Sequence, residues 1–360
     1  MAKRKRKKSH KLVYILIVAV LLAGGAGLFF QLESIYYRER FSELDLKIDK
    51  SLQTMDLPIL SKKIGKAGFF PRYPQAEEII EIPFDYPLDE LPSRIKRMFS
   101  SKSLEVQRIK EQNLKDTYQI LVTVGFGKKI THILRFFLRK IKIALLIDDF
   151  GYSQGTAVDI FLKELNVPLT VSIIPGTSYA KSIAKIAHSN GKEVTLHLPM
   201  EPKGKFNNEY KWIILSGMHR EEIENTTRQA IRDVPYCVGL NNHMGSLVTS
   251  KERIMQPLLE VVKKERLYFV DSRTTPDSIA FTLAKKMGVK SAYREIFLDN
   301  EKENGYIKRQ FQKLILIAKK EGRALGIAHS NPVTAQALKE VISRLENRKI
   351  ELVYVSEIVN

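Results

Sequence analysis

The stretch Ile143-Ala144-Leu145-Leu146-Ile147-Asp148-Asp149-Phe150-Gly151 decides how this chain is read. Five apolar residues that stop abruptly at two acids have the pattern of a short buried strand ending in a polar mouth. Three more segments share that shape: Val194-Thr195-Leu196 into His197, Val238-Gly239-Leu240-Asn241-Asn242 into His243, and Leu325-Gly326-Ile327-Ala328 into His329. In a parallel α/β barrel the strand C-termini open onto one face, so residues far apart in sequence converge there. Adjacent carboxylates and several histidines are the groups that a divalent cation and a hydrolytic water require.

The flanking rhythm supports this. From 141 onward, strands are expected near 143–147, 169–174, 193–197, 238–240, 267–271, 295–298, 325–328 and 351–355. Helices are expected near 155–165, 178–189, 220–233, 251–265, 278–287, 305–321 and 334–347. Such alternation predicts an α/β fold with a parallel sheet, closed or nearly closed as a distorted (β/α) barrel, with an open doubly wound sheet as the alternative. No glycine-rich phosphate loop follows a strand, so no nucleotide cofactor is expected.

Upstream, residues 76–140 read as a small α+β domain: a strand at 79–83, a helix at 88–99, and strands near 104–110, 118–126 and 130–138. His132 falls on the last of these with no acidic neighbour in sequence, and is expected to be a surface or half-buried side chain. Residues 31–75 read as a juxtamembrane stalk or linker, with the helical rhythm of 31–60 taken as a solvated spacer and Pro71 and Pro74 breaking the chain. Residues 12–30 are 19 consecutive residues without a charge, which at ~1.5 Å per residue match a ~30 Å hydrocarbon core. The basic tail at 1–11 predicts a cytoplasmic N-terminus and an exported remainder, an uncleaved anchor being favoured over a cleaved signal peptide.

The net charge is +19, and seven Lys and Arg residues of the tail leave +12 on residues 12–360. That surface favours anionic partners, but no helix-turn-helix, zinc-finger or aromatic-basic RNA motif is present, so nucleic acid is not expected. The single cysteine, Cys237, excludes an internal disulfide and a cysteine-rich zinc module.

Among the site candidates, Asp148 and Asp149 repel each other at a buried strand end unless a cation or shared proton compensates, which one ligand and one general base achieve. His197 and His243 close their strands. His329, before Ser330-Asn331-Pro332, is placed to act as a general acid. Asp271-Ser272-Arg273 closes another strand, where Arg273 orients a carboxylate such as Asp148, clamps an anionic substrate, or forms a surface ion pair.

Taken together, IALLIDDFGYS, EVTLHLPMEP, VGLNNHMGS, LYFVDSRTT and GIAHSNP resemble the divergent polysaccharide deacetylases, an outlying branch of the carbohydrate esterase superfamily with the NodB-type barrel. The resemblance covers 141–360. It implies Asp148 as catalytic base and Asp149 as metal ligand, with His197 retained from a motif that normally carries two histidines four residues apart. The second of those positions is Glu201 here, so His243 or Glu201 takes the vacant place. The resemblance further implies His329 as the catalytic histidine, Asp271 and Arg273 as the residues that steady the base, and zinc or a similar divalent ion. The expected activity is removal of acetyl groups from an N- or O-acetylated envelope polysaccharide. Two other readings are a membrane-anchored polysaccharide-binding or scaffolding module on a degenerate barrel, and metal-dependent phosphodiester hydrolysis. The last lacks a second-metal cluster.

Overall fold

The computed structural model describes residues 3–68, 72–99 and 105–360, with side chains from Tyr14 onward. Pro71, the first residue of the strand expected at 104, and the side chains of the basic tail lie outside the described residues. The chain divides into two units, 1–139 and 140–360.

In the first unit, α1 (Lys3–Thr54) is one helix of 52 residues. Its apolar stretch is exposed, with Leu21 at 69% and Phe29 at 63%. Further along the same helix, Leu44, Ile48 and Leu52 recur every four residues and are buried, the stripe of a core-facing helix. The solvated-spacer reading of 31–60 is therefore corrected: the three leucine and isoleucine side chains share a core with the sheet and with Leu91, Ile95 and Phe99 of a second helix.

That sheet comprises β1 (Ile59–Ala67), β2 (Tyr73–Glu81), β3 (Glu105–Asn113), β4 (Thr117–Phe126) and β5 (Lys129–Arg139), with α2 (Leu91–Phe99) between β2 and β3. The order is β1-β2-β5-β4-β3. Tyr118, Ile120, Val122 and Val124 alternate inward on β4. β1 escaped the sequence reading because Lys62, Lys63 and Lys66 interrupt any apolar alternation. His132 is also corrected: it is fully buried and stands 3.1 Å from Asp45 of α1, 87 residues away in sequence.

The second unit begins with β6 (Ile141–Phe150), α3 (Thr156–Asp159) with a π-helical turn at Ile160–Glu164, β7 (Thr170–Ile173), α4 (Ala180–Ser189) and β8 (Glu193–Met200). It continues through α5 (Arg220–Asp233), β9 (Cys237–Met244), α6 (Glu252–Lys264), β10 (Tyr268–Asp271), α7 (Ala280–Lys286), β11 (Ser291–Tyr293) and β12 (Ile296–Phe297). It closes with α8 (Asn304–Glu321), β13 (Arg323–His329), α9 (Pro332–Ile342) and β14 (Ile350–Val353). Every pairing in this unit is parallel, in the order β11-β10-β9-β8-β7-β6-β13-β12, with β14 also on β6.

Residues from strands that are not neighbours in this order, Val270 on β10 and Ile327 on β13 among them, share one core with Ala144 and Leu146. The sheet must therefore curl, and the parallel strands form a half-barrel. Its edge strands β11 and β12 are separated in sequence only by Arg294 and Glu295 and have no ladder between them. β11, three residues long, lies below the length that an apolar pattern reveals.

Candidate active site

Asp148 follows Ala144 and Leu146 at the two-residue period, which puts it on the inner face of the half-barrel. Strict alternation would send Asp149 the other way. Instead, the β6–β7 register shifts between Ile147 and Phe150, and Asp149 adopts a left-handed φ of 64°. A bulge of this kind re-aims a side chain, and both carboxylates reach the same mouth. Gly151 follows at φ 121°, where a Cβ would stand 2.1 Å from the Thr177 hydroxyl, so the departure of the chain from the strand requires glycine.

The other strands deliver their residues by register. On β8 and β9, His197 pairs with Asn241 and Pro199 with His243. On β13, His329 pairs with Asp148 itself. The structure brings Asp149, His197 and His243 together, with one donor atom from each within 4.8 Å of the others. His197 Nε2 and His243 Nδ1 are 3.0 Å apart. Asp149 Oδ1 stands 3.3 Å from the first and 3.1 Å from the second.

These spacings and the electrostatics fit a metal ion. Donors ~2.0–2.2 Å from one ion lie roughly 3.3–3.5 Å apart in a tetrahedron and roughly 2.8–3.1 Å apart in an octahedron. The 3.0 and 3.1 Å edges fall in the octahedral range and the 3.3 Å edge at the lower limit of the tetrahedral one. Asp149 Oδ1 is buried yet receives no hydrogen bond of good geometry, and a buried orphan acceptor has a desolvation cost that a cation removes. No lysine or arginine forms an ion pair with Asp148 or Asp149 among the described residues.

Burial pushes the Asp148 carboxyl up to about 6, opposed by His197 and reinforced by Asp149. Burial acts on Asp149 in the same direction, but the two imidazoles outweigh it and hold that carboxyl well below the usual carboxylate range. Burial lowers His243, whereas the two aspartates overcome burial and raise His197. The two acids are thus pushed in opposite directions, the kind of separation that suits two carboxylates to different roles.

Two site residues lie outside the sequence-based set. Asn241 donates from Nδ2 to Asp148 Oδ1 at 2.9 Å and accepts at Oδ1 from His197 Nδ1 at 3.0 Å. Asp299, fully buried, accepts from His329 Nδ1 at 2.9 Å and from the His329 backbone N–H at 2.8 Å. Burial opposes charge on His329, but Asp299 prevails and raises it to about 9. Both carried a signal: Asn241 precedes His243 by two residues and so shares its strand face, and Asp299 closes the strand expected at 295–298.

The remaining expectations need correction. Glu201, the competing ligand, is not in the donor group; its Oε2 accepts from the Ser216 backbone N–H at 2.5 Å. Asp271 and Arg273 do not steady Asp148. Asp271 accepts from the Arg273 N–H, the Ser278 hydroxyl and the Phe281 N–H, and the Arg273 guanidinium lies 3.6 Å over the Tyr293 ring. The amide of Asn241 takes the position at Asp148 that an arginine was expected to fill.

Comparison with known proteins places the fold and the family. An uncharacterized protein of Escherichia coli K12, YibQ, is 36% identical over 219 residues, covering 61% of this chain and 67% of that one. An uncharacterized protein of Haemophilus influenzae is 35% identical over 207 residues, covering 57% and 72%. The crystal structure of the uncharacterized protein ATU2773 from Agrobacterium tumefaciens superposes with a TM-score of 0.59 at 22% identity, over 61% of this chain and 90% of that one, and shares the fold. Residues 145–359 match the family described as divergent polysaccharide deacetylase, and the chain belongs to that family.

Proposed function

We propose that the chain is a metal-dependent hydrolase that removes acetyl groups from an N- or O-acetylated envelope polysaccharide. The observation that carries this reading is the near-equilateral donor triangle of Asp149, His197 and His243 beside Asp148, with His329 at the same register one strand away. A divalent cation held by the three donors, zinc by the nitrogen-rich set, supplies a Lewis acid for water and for the acyl oxygen.

The chain's own residues do the rest. Asp148, poised near 6, takes the proton of the attacking water. His329, positively charged and oriented by Asp299, gives a proton to the departing nitrogen or oxygen. The exposed apolar stretch of α1 anchors the chain as a single-pass span, with the amino terminus in the cytoplasm and the catalytic unit on the exported side. Among the described residues, the part of α1 from Tyr14 onward holds a stretch long and apolar enough for this.

The test is elemental analysis of the purified chain, then acetate release from a panel of acetylated glycans by wild type and Asp148→Asn. Bound metal in both proteins, acetate release by wild type, and a 10²–10⁴-fold loss in the variant are expected. Undiminished turnover in metal-replete Asp148→Asn would reject the role of Asp148. A second reading, a polysaccharide-binding module on an inactive barrel, draws support from Glu201, which stands where the family pattern has its second histidine and is bonded to Ser216. Tight glycan binding without acetate release on any substrate would favour it, whereas stoichiometric metal would argue against a fully degenerate site.

A further inference from the structure

Asn241 lies between the base and the metal-binding triangle and is itself fully buried. Its amide has four hydrogen-bonding positions, two that donate and two that accept, and all four are used. Nδ2 donates to Asp148 Oδ1 at 2.9 Å and to the Ser272 hydroxyl oxygen at 3.2 Å. Oδ1 accepts from the Ser172 hydroxyl and faces His197 Nδ1 at 3.0 Å.

The order of dependence follows from which groups have a choice. An ionised carboxylate only accepts, so Asp148 obliges the NH₂ side of Asn241 to face it. The carbonyl oxygen then faces His197, and an oxygen without hydrogen obliges Nδ1 of that ring to carry the proton. Nε2 of His197 is left with its lone pair, and Nε2 is the atom in the triangle with Asp149 and His243.

His243 presents the opposite atom. Its Nδ1 is in the triangle and its Nε2 is 2.9 Å from the Tyr210 hydroxyl. A hydroxyl donates or accepts by rotating, so Tyr210 accommodates either tautomer and dictates neither.

We propose that Asn241 is the positioning residue of the metal centre: it transmits the charge of Asp148 into the tautomer of His197 and so presets one ligand, whereas Tyr210 only follows His243. This rests on the metal-site reading above. It goes beyond that reading by making metal affinity depend on a neutral side chain that touches no metal, in the manner of outer-sphere partners whose loss typically reduces affinity by about 10–100-fold.

The test uses the full chain with ¹⁵N-labelled histidine, where seven histidines give a sparse spectrum, together with zinc affinity from chelator competition. In zinc-loaded wild type, His197 should show an Nδ1 proton and a coordinated Nε2, and His243 the reverse. Asn241→Leu should release the His197 tautomer and weaken zinc about 10–100-fold. Asn241→Asp, protonated on the oxygen that faces Asp148 and accepting from Nδ1 at the other, should hold that tautomer and weaken zinc less than Asn241→Leu does. Tyr210→Phe should leave His197 unchanged and weaken zinc less than Asn241→Leu does; if the leucine variant fails to fold, the coordinating nitrogen of wild-type His197 still decides the proposal.

Wild-type zinc affinity in Asn241→Leu would overturn the proposal. So would a His197 that coordinates through Nδ1, or a Tyr210→Phe loss as large as that of Asn241→Leu. If wild type binds no zinc, the metal-site reading fails by itself. The ¹⁵N spectrum of the metal-free chain at pH 9 then still decides the tautomer claim: a fixed Nδ1–H on His197 that is lost in the leucine variant upholds it, and a mixed population in wild type rejects it.

Discussion

Two clusters in this molecule are built from the same kinds of side chain. In the first unit Asp45, Glu78 and His132 converge, and in the second Asp149, His197 and His243 do so, each set with donor atoms within 4.8 Å of one another. The first contains its own cation. Lys62 Nζ lies 2.7 Å from Asp45, 2.8 Å from Asp49 and 3.4 Å from Glu78. The second has no lysine or arginine paired to its carboxylates among the described residues. Residue type and proximity therefore do not by themselves make a metal centre. What distinguishes the second cluster is negative charge left for an outside cation to balance, at the mouth of a parallel half-barrel where Asp149 and His329 are partly exposed.

The largest effect that this comparison predicts is at the second cluster. His197→Ala should abolish stoichiometric zinc and reduce turnover at least as far as the 10²–10⁴-fold expected of Asp148→Asn, while leaving the first cluster intact. Elemental analysis and acetate release check it, and retained zinc would break the contrast.

The next largest is at Lys62. Removing it as Lys62→Met leaves Asp45, Asp49 and Glu78 uncompensated. Because solvent reaches Asp49, the expected loss is on the order of 2 kcal/mol, below the ~3–5 kcal/mol of a fully buried pair. Thermal denaturation measures it. The same variant sharpens the comparison, since zinc stoichiometry should rise from one to two as the first cluster loses its internal cation. Unchanged stoichiometry would mean that geometry, not charge, separates the two sites.

A smaller effect concerns pH. The proposed mechanism requires Asp148 ionised and His329 protonated, so under it the rate should rise as pH passes about 6 and fall as it passes about 9. Asp299→Asn removes the main support for the charge on His329, so the falling limb should move to lower pH while the rising limb stays. A rate–pH profile shows both limbs.

The smallest effect is in the first unit. Burial, opposed mainly by Lys62, raises Glu78 from 4.5 in the unfolded reference to about 7. A folded value above the unfolded one gives a contribution fully present below about 4.5 and lost as pH rises through about 7. Melting temperatures should therefore show Glu78→Gln gaining on wild type between pH 5 and pH 8, and a constant difference would show that Glu78 does not titrate in that window.

The legibility of the two units in sequence differed for a physical reason. In the second, strand-end chemistry and the β/α rhythm lie in local segments, so Asp148, Asp149, His197, His243 and His329 are all legible as candidates from those segments alone. In the first, the amphipathic stripe Leu44, Ile48, Leu52 was visible, but a helix of that pattern reads equally as a spacer or as a core element until a sheet is found to cover it. Sequence also misassigned the support of Asp148 to Arg273, because strand-end position does not say which way a side chain turns. Arg273 has φ 45° and its guanidinium stacks on Tyr293.

What the sequence determined by itself was the succession of buried strands, the residues that terminate them and the family, since these depend on local apolar patterning and motif content. Tertiary structure decided which residues meet. The bulge at Asp148–Asp149 turned an alternating pair into two neighbours of one mouth, and register placed Asn241 opposite His197 and Asp299 beside His329. Side-chain period along a strand is local, whereas pairing across strands is set by packing of the whole sheet, and a contact between segments dozens of residues apart exists only once that packing is complete.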